Sequence, residues 1–224
     1  PKTDLTRNVA LKTAITKKGL VDPADMAITP QTVTRLTATQ PLFSTKMNLR
    51  SSALEAQSSA TESKTEAQTK AKMYISHFIQ VFNLGVEREI YPKSARAYYK
   101  LDVSSNSVPP LLKESDIVYW GEQLINGEAE RVTNGGEPMT NPSIVEVEAV
   151  YNDFVAQNNA QSTLKDAYDK AQEDVSNMRP DVDLLILKIW DEVETFYNQE
   201  PAPSKRRNAR EWGVVYVSTQ KATL

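Results

Sequence analysis

The residues most able to do chemistry are acids that come in close groups. Glu87 lies near Glu89, Glu146 near Glu148, Glu173 beside Asp174, and Asp191–Glu192 beside Glu194. Two carboxylates held across a cleft can act as acid and base, as in glycoside hydrolysis. Here each group lies in a stretch of helical periodicity. On such stretches carboxylates form a solvated face and pair with Lys or Arg at i,i+4. Asp166, Asp169 and Glu173 fall at i, i+3 and i+7, a spacing that aims three oxygen donors along one helix face. Lys165 and Lys170 sit beside them, and the loop geometry of a dedicated calcium site is absent. His77 is the only histidine and cysteine is lacking, so a His/Cys zinc site and a thiolate nucleophile are both excluded. A di-iron bundle needs paired Glu-x-x-His units, and residue 74 is Tyr. No G-x-S-x-G, P-loop or G-x-G-x-x-G string occurs. These observations predict no catalytic residue, no metal, no cofactor and no small-molecule substrate. His77 reads as structural.

The basic residues form a second pattern. Residues 1–29 hold five Lys/Arg against three Asp, a net +2. Residues 201–224 hold Lys205, Arg206, Arg207, Arg210 and Lys221 against Glu211, a net +4, which leaves −9 on residues 30–200. Basic ends on an acidic body can dock on that body, either their own or that of a neighbouring copy, and the second is the one favoured here. With a sequence pI of about 5.4, the four cations at 205–210 argue only weakly for nucleic acid. No apolar run approaches the roughly 18 residues of a membrane span. The start, "PKTDLTRNVALKTAITKKG", lacks the apolar centre of a signal peptide. The expectation is a cytoplasmic protein, or one released without a conventional signal.

The elements that would position these residues read almost entirely as helix. Glycine is scarce, at 7 of 224 residues, and prolines punctuate long periodic segments. Asp4 can cap a short helix that runs to Lys18 and closes at Gly19. Thr29-Pro30 has the chemistry of a helix start, and the pattern then runs to about Ile90, with a joint at Pro41. Its last part carries Ile75, Phe78, Ile79, Phe82, Val86 and Ile90 at the spacing of a buried face. Pro92 breaks the run, and a short helix and a loop follow. Ser115 opens a helix that stops at Asn134-Gly135-Gly136. Asn141-Pro142 opens another, which runs to about Tyr197 with a kink at Pro180. Near its end, Leu185, Ile186, Ile189, Trp190, Val193 and Phe196 form a second dense face.

Residues 56–68 and 160–172 match at five positions, the pattern an internal duplication would leave and one that alanine-rich helices also give by chance. The fold expected is all-α: an elongated antiparallel bundle with two long helices, such a duplication, and a short C-terminal β-strand. Its parts would be a basic arm with a short helix at 1–29, the bundle at 30–200, and a basic tail with the strand at 201–224.

The strand rests on the β-branched run that follows Gly213. A lone strand leaves its main-chain groups unpaired and seeks a partner. It can pair with a short segment of its own chain, such as residues 101–103, lead into a further domain, or add to another subunit; the last, favoured by the charge pattern, gives head-to-tail assembly into rings or filaments. The predicted assembly interface is Lys205, Arg206, Arg207, Arg210, Trp212, Val214, Val215, Tyr216 and Val217, with Trp212 as its aromatic anchor. Deletion of 212–224 is then expected to leave a folded helical monomer. The strings "SKRRNAREWGVVYV" and "YISHFIQVFNLG" resemble those of an uncharacterised group of bacterial helical-bundle proteins. The resemblance covers most of the chain and implies no activity. The function expected is a structural, self-assembling or scaffolding homo-oligomer. The alternative is a helical binding module for a protein or glycan partner at a bacterial cell surface.

Overall fold

The computed structural model describes residues 1–216. Among them the fold is all-α, with five α-helices: α1 (Asp4–Lys18), α2 (Pro30–Glu87), α3 (Glu114–Thr133), α4 (Ile144–Phe196) and α5 (Ala202–Glu211). Two 3-10 segments, Pro23–Asp25 and Lys93–Tyr99, lie between them. The chain divides into two compact units, one of Pro1–Leu54 with Ala167–Leu224 and one of Glu55–Asp166. Helices α2 and α4 each contribute to both units, and both chain ends belong to the same one.

Local chemistry explains the helix ends. Thr3, rather than Asp4, caps α1: its hydroxyl accepts from the Thr6 amide at 3.2 Å, and Thr6 returns a contact to the Thr3 amide at 3.1 Å. Pro30 begins α2 because its missing N–H would have no helical partner there. Pro41 and Pro180 lie inside continuous helices. Helix α3 begins one residue before Ser115, and the Asp116 carboxylate accepts from the amides of Leu112 and Lys113. Helix α4 begins after the cis Asn141–Pro142 bond. Its cap is Ser143, whose amide donates to Glu146 at 2.8 Å.

In the unit holding the chain ends, Leu11 and Ala14 of α1 pack with Leu36 and Phe43 of α2, Val182, Leu185, Ile186 and Ile189 of α4, and Trp212. Phe196 is half-exposed and lies outside this core. An ion cluster ties the same helices together. Asp4 is buried and accepts from Arg179 Nε at 2.8 Å, Arg179 Nη2 at 2.9 Å and Arg50 Nη1 at 2.9 Å. The Arg179 contact, opposed by burial and reinforced by Arg50, lowers the Asp4 pKa to about 2. Asp4 therefore stabilises the fold above the unfolded carboxylate value of 3.8, and that contribution is lost as pH falls towards 2. Its size is about 2 kcal/mol. In urea titrations the stability gap between wild type and Asp4→Asn should narrow over this window. A gap constant from pH 5 to about 2 would contradict the assignment.

In the other unit, Ile75, Phe78, Ile79 and Phe82 of α2 pack on Tyr99, Ile117, Leu124, Val147 and Phe154. The Tyr99 ring meets Phe82 edge-on at 4.9 Å and Phe78 at 5.7 Å. Ile90, expected on this face, is 63% exposed, since α2 ends at Glu87 and the chain turns through Glu89 at φ 59. Gly127 is required because a Cβ there would strike the Tyr98 carbonyl.

The C-terminal segment corrects an expectation. Residues 213–216 form no strand. Gly213, at φ 87, ends α5: its amide donates to Arg210 O at 2.9 Å, and the Val214 amide donates to Ala209 O at 3.2 Å. These two bonds make a Schellman motif, with Val214 and Ala209 as its buried apolar pair. The glycine and the first valine thus serve a helix cap and are not free to extend a sheet. Val217 and Lys221 lie outside the described residues.

Candidate functional site

In each group of carboxylates at least one has an identifiable task. Glu192 receives the Thr29 amide at 2.8 Å and the hydroxyls of Thr29 and Thr32, both at 3.0 Å, so it caps the start of α2 from α4. Burial alone would raise its carboxyl, but these bonds hold it below the usual range. Glu146 caps α4, Asp174 pairs with Lys46 at 2.7 Å, and Glu87 accepts from Asn106 at 3.0 Å. His77 is exposed, on the opposite side of α2 from Ile75, Phe78 and Ile79. Among the described residues no group of three or more His, Cys, Asp or Glu could hold a metal ion. No helix among them is long and apolar enough to cross a membrane.

The structure brings most of the predicted interface residues together on α5 and the segment after it. Trp212 is fully buried and Val214 nearly so, both within their own chain's core. Removing 212–224 would take both from that core, so the deletion is expected to destabilise the monomer. Lys205 pairs with Glu194 at 2.6 Å. The Tyr216 hydroxyl bonds to Glu194, and the Arg206 and Arg210 guanidinium groups lie 5.9 and 5.8 Å from the Tyr216 ring centre. Burial and Glu194 together push the Tyr216 hydroxyl up to about 12. Arg207 and Val215 are exposed. Glu194 therefore latches this segment to the end of α4.

Sequence reasoning missed the outer face of α1. Leu11 and Ala14 face the core, while Leu5 is 65% and Val9 53% exposed. Leu5, Val9, Lys12 and Thr16, at helical spacing, share the exposed side. Beside them Lys2, Leu5, Val9, Arg210, Val215 and Tyr216 help line an open groove of about 900 Å³. The 4–3–4 spacing of these residues was visible in the sequence. A helix with apolar residues on two opposite sides was its signal.

No protein-family model matches the chain, and no curated protein or solved structure is significantly similar to it. The comparisons add nothing to the bacterial helical-bundle resemblance.

Proposed function

We propose that this chain is a non-enzymatic structural protein that associates with copies of itself through the unit holding both chain ends. One observation carries the reading: the two units bear opposite charge. The unit of 1–54 and 167–224 has 16 Lys/Arg against 13 Asp/Glu, a net +3. The unit of 55–166 has 10 against 16, a net −6. Opposite charges on two parts of one chain attract unlike parts of different copies and repel like parts, which favours head-to-tail over symmetric contacts. The engagement of at least one carboxylate of each group in a cap, hydrogen bond or ion pair supports a role other than acid–base catalysis.

Sedimentation across concentration and salt tests this. The chain is expected to form species larger than a monomer at low salt and to dissociate as salt screens the charges. A monomer at millimolar concentration and low salt would reject the reading.

A further inference from the structure

Resting on that reading, we infer that the outer face of α1, with Arg210, Val215 and Tyr216, is the contact surface, and that a second copy fills it with the exposed acidic residues of α3 and the first part of α4. The surface has the anatomy of an interface, with an apolar centre and a charged rim. Leu5, Val9 and Val215 are all more than half exposed and form its centre. Lys2, Lys12 and Arg210 are exposed at its edges. A partner must therefore bring apolar groups ringed by acid.

This chain carries exposed acids and exposed apolar side chains within one stretch. Residues 114–166 hold 10 Asp/Glu against Arg131 and Lys165; of these acids Glu128 is buried on Arg131 and Glu114 pairs with Lys64. Glu122, Glu130, Glu148 and Asp153 of that stretch are exposed, and so are Tyr119 and Val145. Residues 55–113, by contrast, hold 8 Lys/Arg against 6 Asp/Glu, so the rest of that unit would not attract a basic groove. The contact joins two different surfaces, so its repetition yields a closed ring or an open filament.

The test uses the full chain and three variants, with far-UV circular dichroism to confirm that each stays helical. Leu5→Glu/Val9→Glu removes the apolar centre. Lys2→Glu/Lys12→Glu reverses the rim. Glu148→Lys/Asp153→Lys reverses the partner face. Each alone should weaken self-association at least tenfold in sedimentation equilibrium. Mixing the second and third should restore it, because the reversed groove of one meets the reversed face of the other. If wild type associates and the variants associate as well, the surface assignment is overturned while the proposed function stands. If wild type never associates, both fall. Wild type that stays monomeric yet binds anionic phospholipid vesicles would mark the face as a membrane surface and overturn the inference.

Discussion

Replacing Trp212 by Ala is expected to destabilise the unit holding the chain ends by about 3–5 kcal/mol. The indole is fully buried among α1, α2 and α4 side chains. Truncation removes its burial and leaves a void that helices held by an ion cluster cannot readily close. The indole N–H finds no acceptor among the described residues, so part of the native burial is opposed by an unpaired donor. Trp212→Phe discards that donor and keeps most of the apolar volume, so it should cost much less than Trp212→Ala. Urea titration followed by helix ellipticity gives the magnitude, and amide exchange in α1 assigns the loss to this unit. The result also separates two roles for one residue. An interface anchor would lose self-association on truncation and leave the urea midpoint of the monomer unchanged, and that outcome would contradict the burial described here.

The same residue shows where the sequence could be read and where it could not. Helix boundaries were legible wherever a local rule acts alone, as at Thr29-Pro30 and Asn134-Gly135-Gly136, whereas α2 stops at Glu87, ahead of Pro92. The buried faces of Ile75–Val86 and Leu185–Val193 were legible because helical spacing of large apolar residues has few other causes. Trp212-Gly213-Val214 was misread. A β-branched run suggests a strand, but a glycine just past a helix, followed by an apolar residue, is also the signature of a Schellman cap. The cap prevailed because Ala209 and Val214 are both buried in the core while their main chain satisfies the end of α5. The role of Glu192 was hidden for a different reason. Its partners, Thr29 and Thr32, are 163 and 160 positions away, and no local pattern announces such a contact. The division into two units was equally hidden, since α2 and α4 run through both without a break in the helix. The outer face of α1 was written in the sequence, but its meaning depended on knowing which side of the helix the core takes.

Replacing Glu128 by Ala should cost the other unit about 3–5 kcal/mol, because it breaks a buried ion pair from one side. Glu128 accepts from Arg131 Nε at 2.8 Å, from Arg131 Nη2 at 3.0 Å, from the Met139 amide at 2.8 Å and from the Tyr99 hydroxyl. One carboxylate thus joins α3 to the Lys93–Tyr99 segment and to the loop before α4. Burial alone would raise its pKa, but Arg131, the Met139 amide and Tyr99 more than offset this and hold it below the usual carboxylate range. The Tyr99 hydroxyl is pushed up, first by burial and then by Glu128. In Glu128→Ala the Arg131 charge stays buried, left with the Glu137 carbonyl at 2.5 Å, the Tyr99 hydroxyl at 2.9 Å and the Tyr91 ring at 5.1 Å. Glu128→Leu/Arg131→Met removes both charges and should cost far less than Glu128→Ala, since apolar replacement of a whole buried pair is often nearly neutral. Because Glu128 has a depressed pKa, its contribution is present above the ordinary glutamate value of 4.5 and is lost as pH falls through the folded value. The cost of Glu128→Ala in urea titrations should therefore shrink in acid. Equal costs for the single and the double replacement would show that the site contributes through packing and not through its charges. Because α3 also carries Glu122 and Glu130, part of the face assigned to a neighbouring copy, loosening it should weaken association as a consequence of lost order, and Glu128→Leu/Arg131→Met should recover association along with stability.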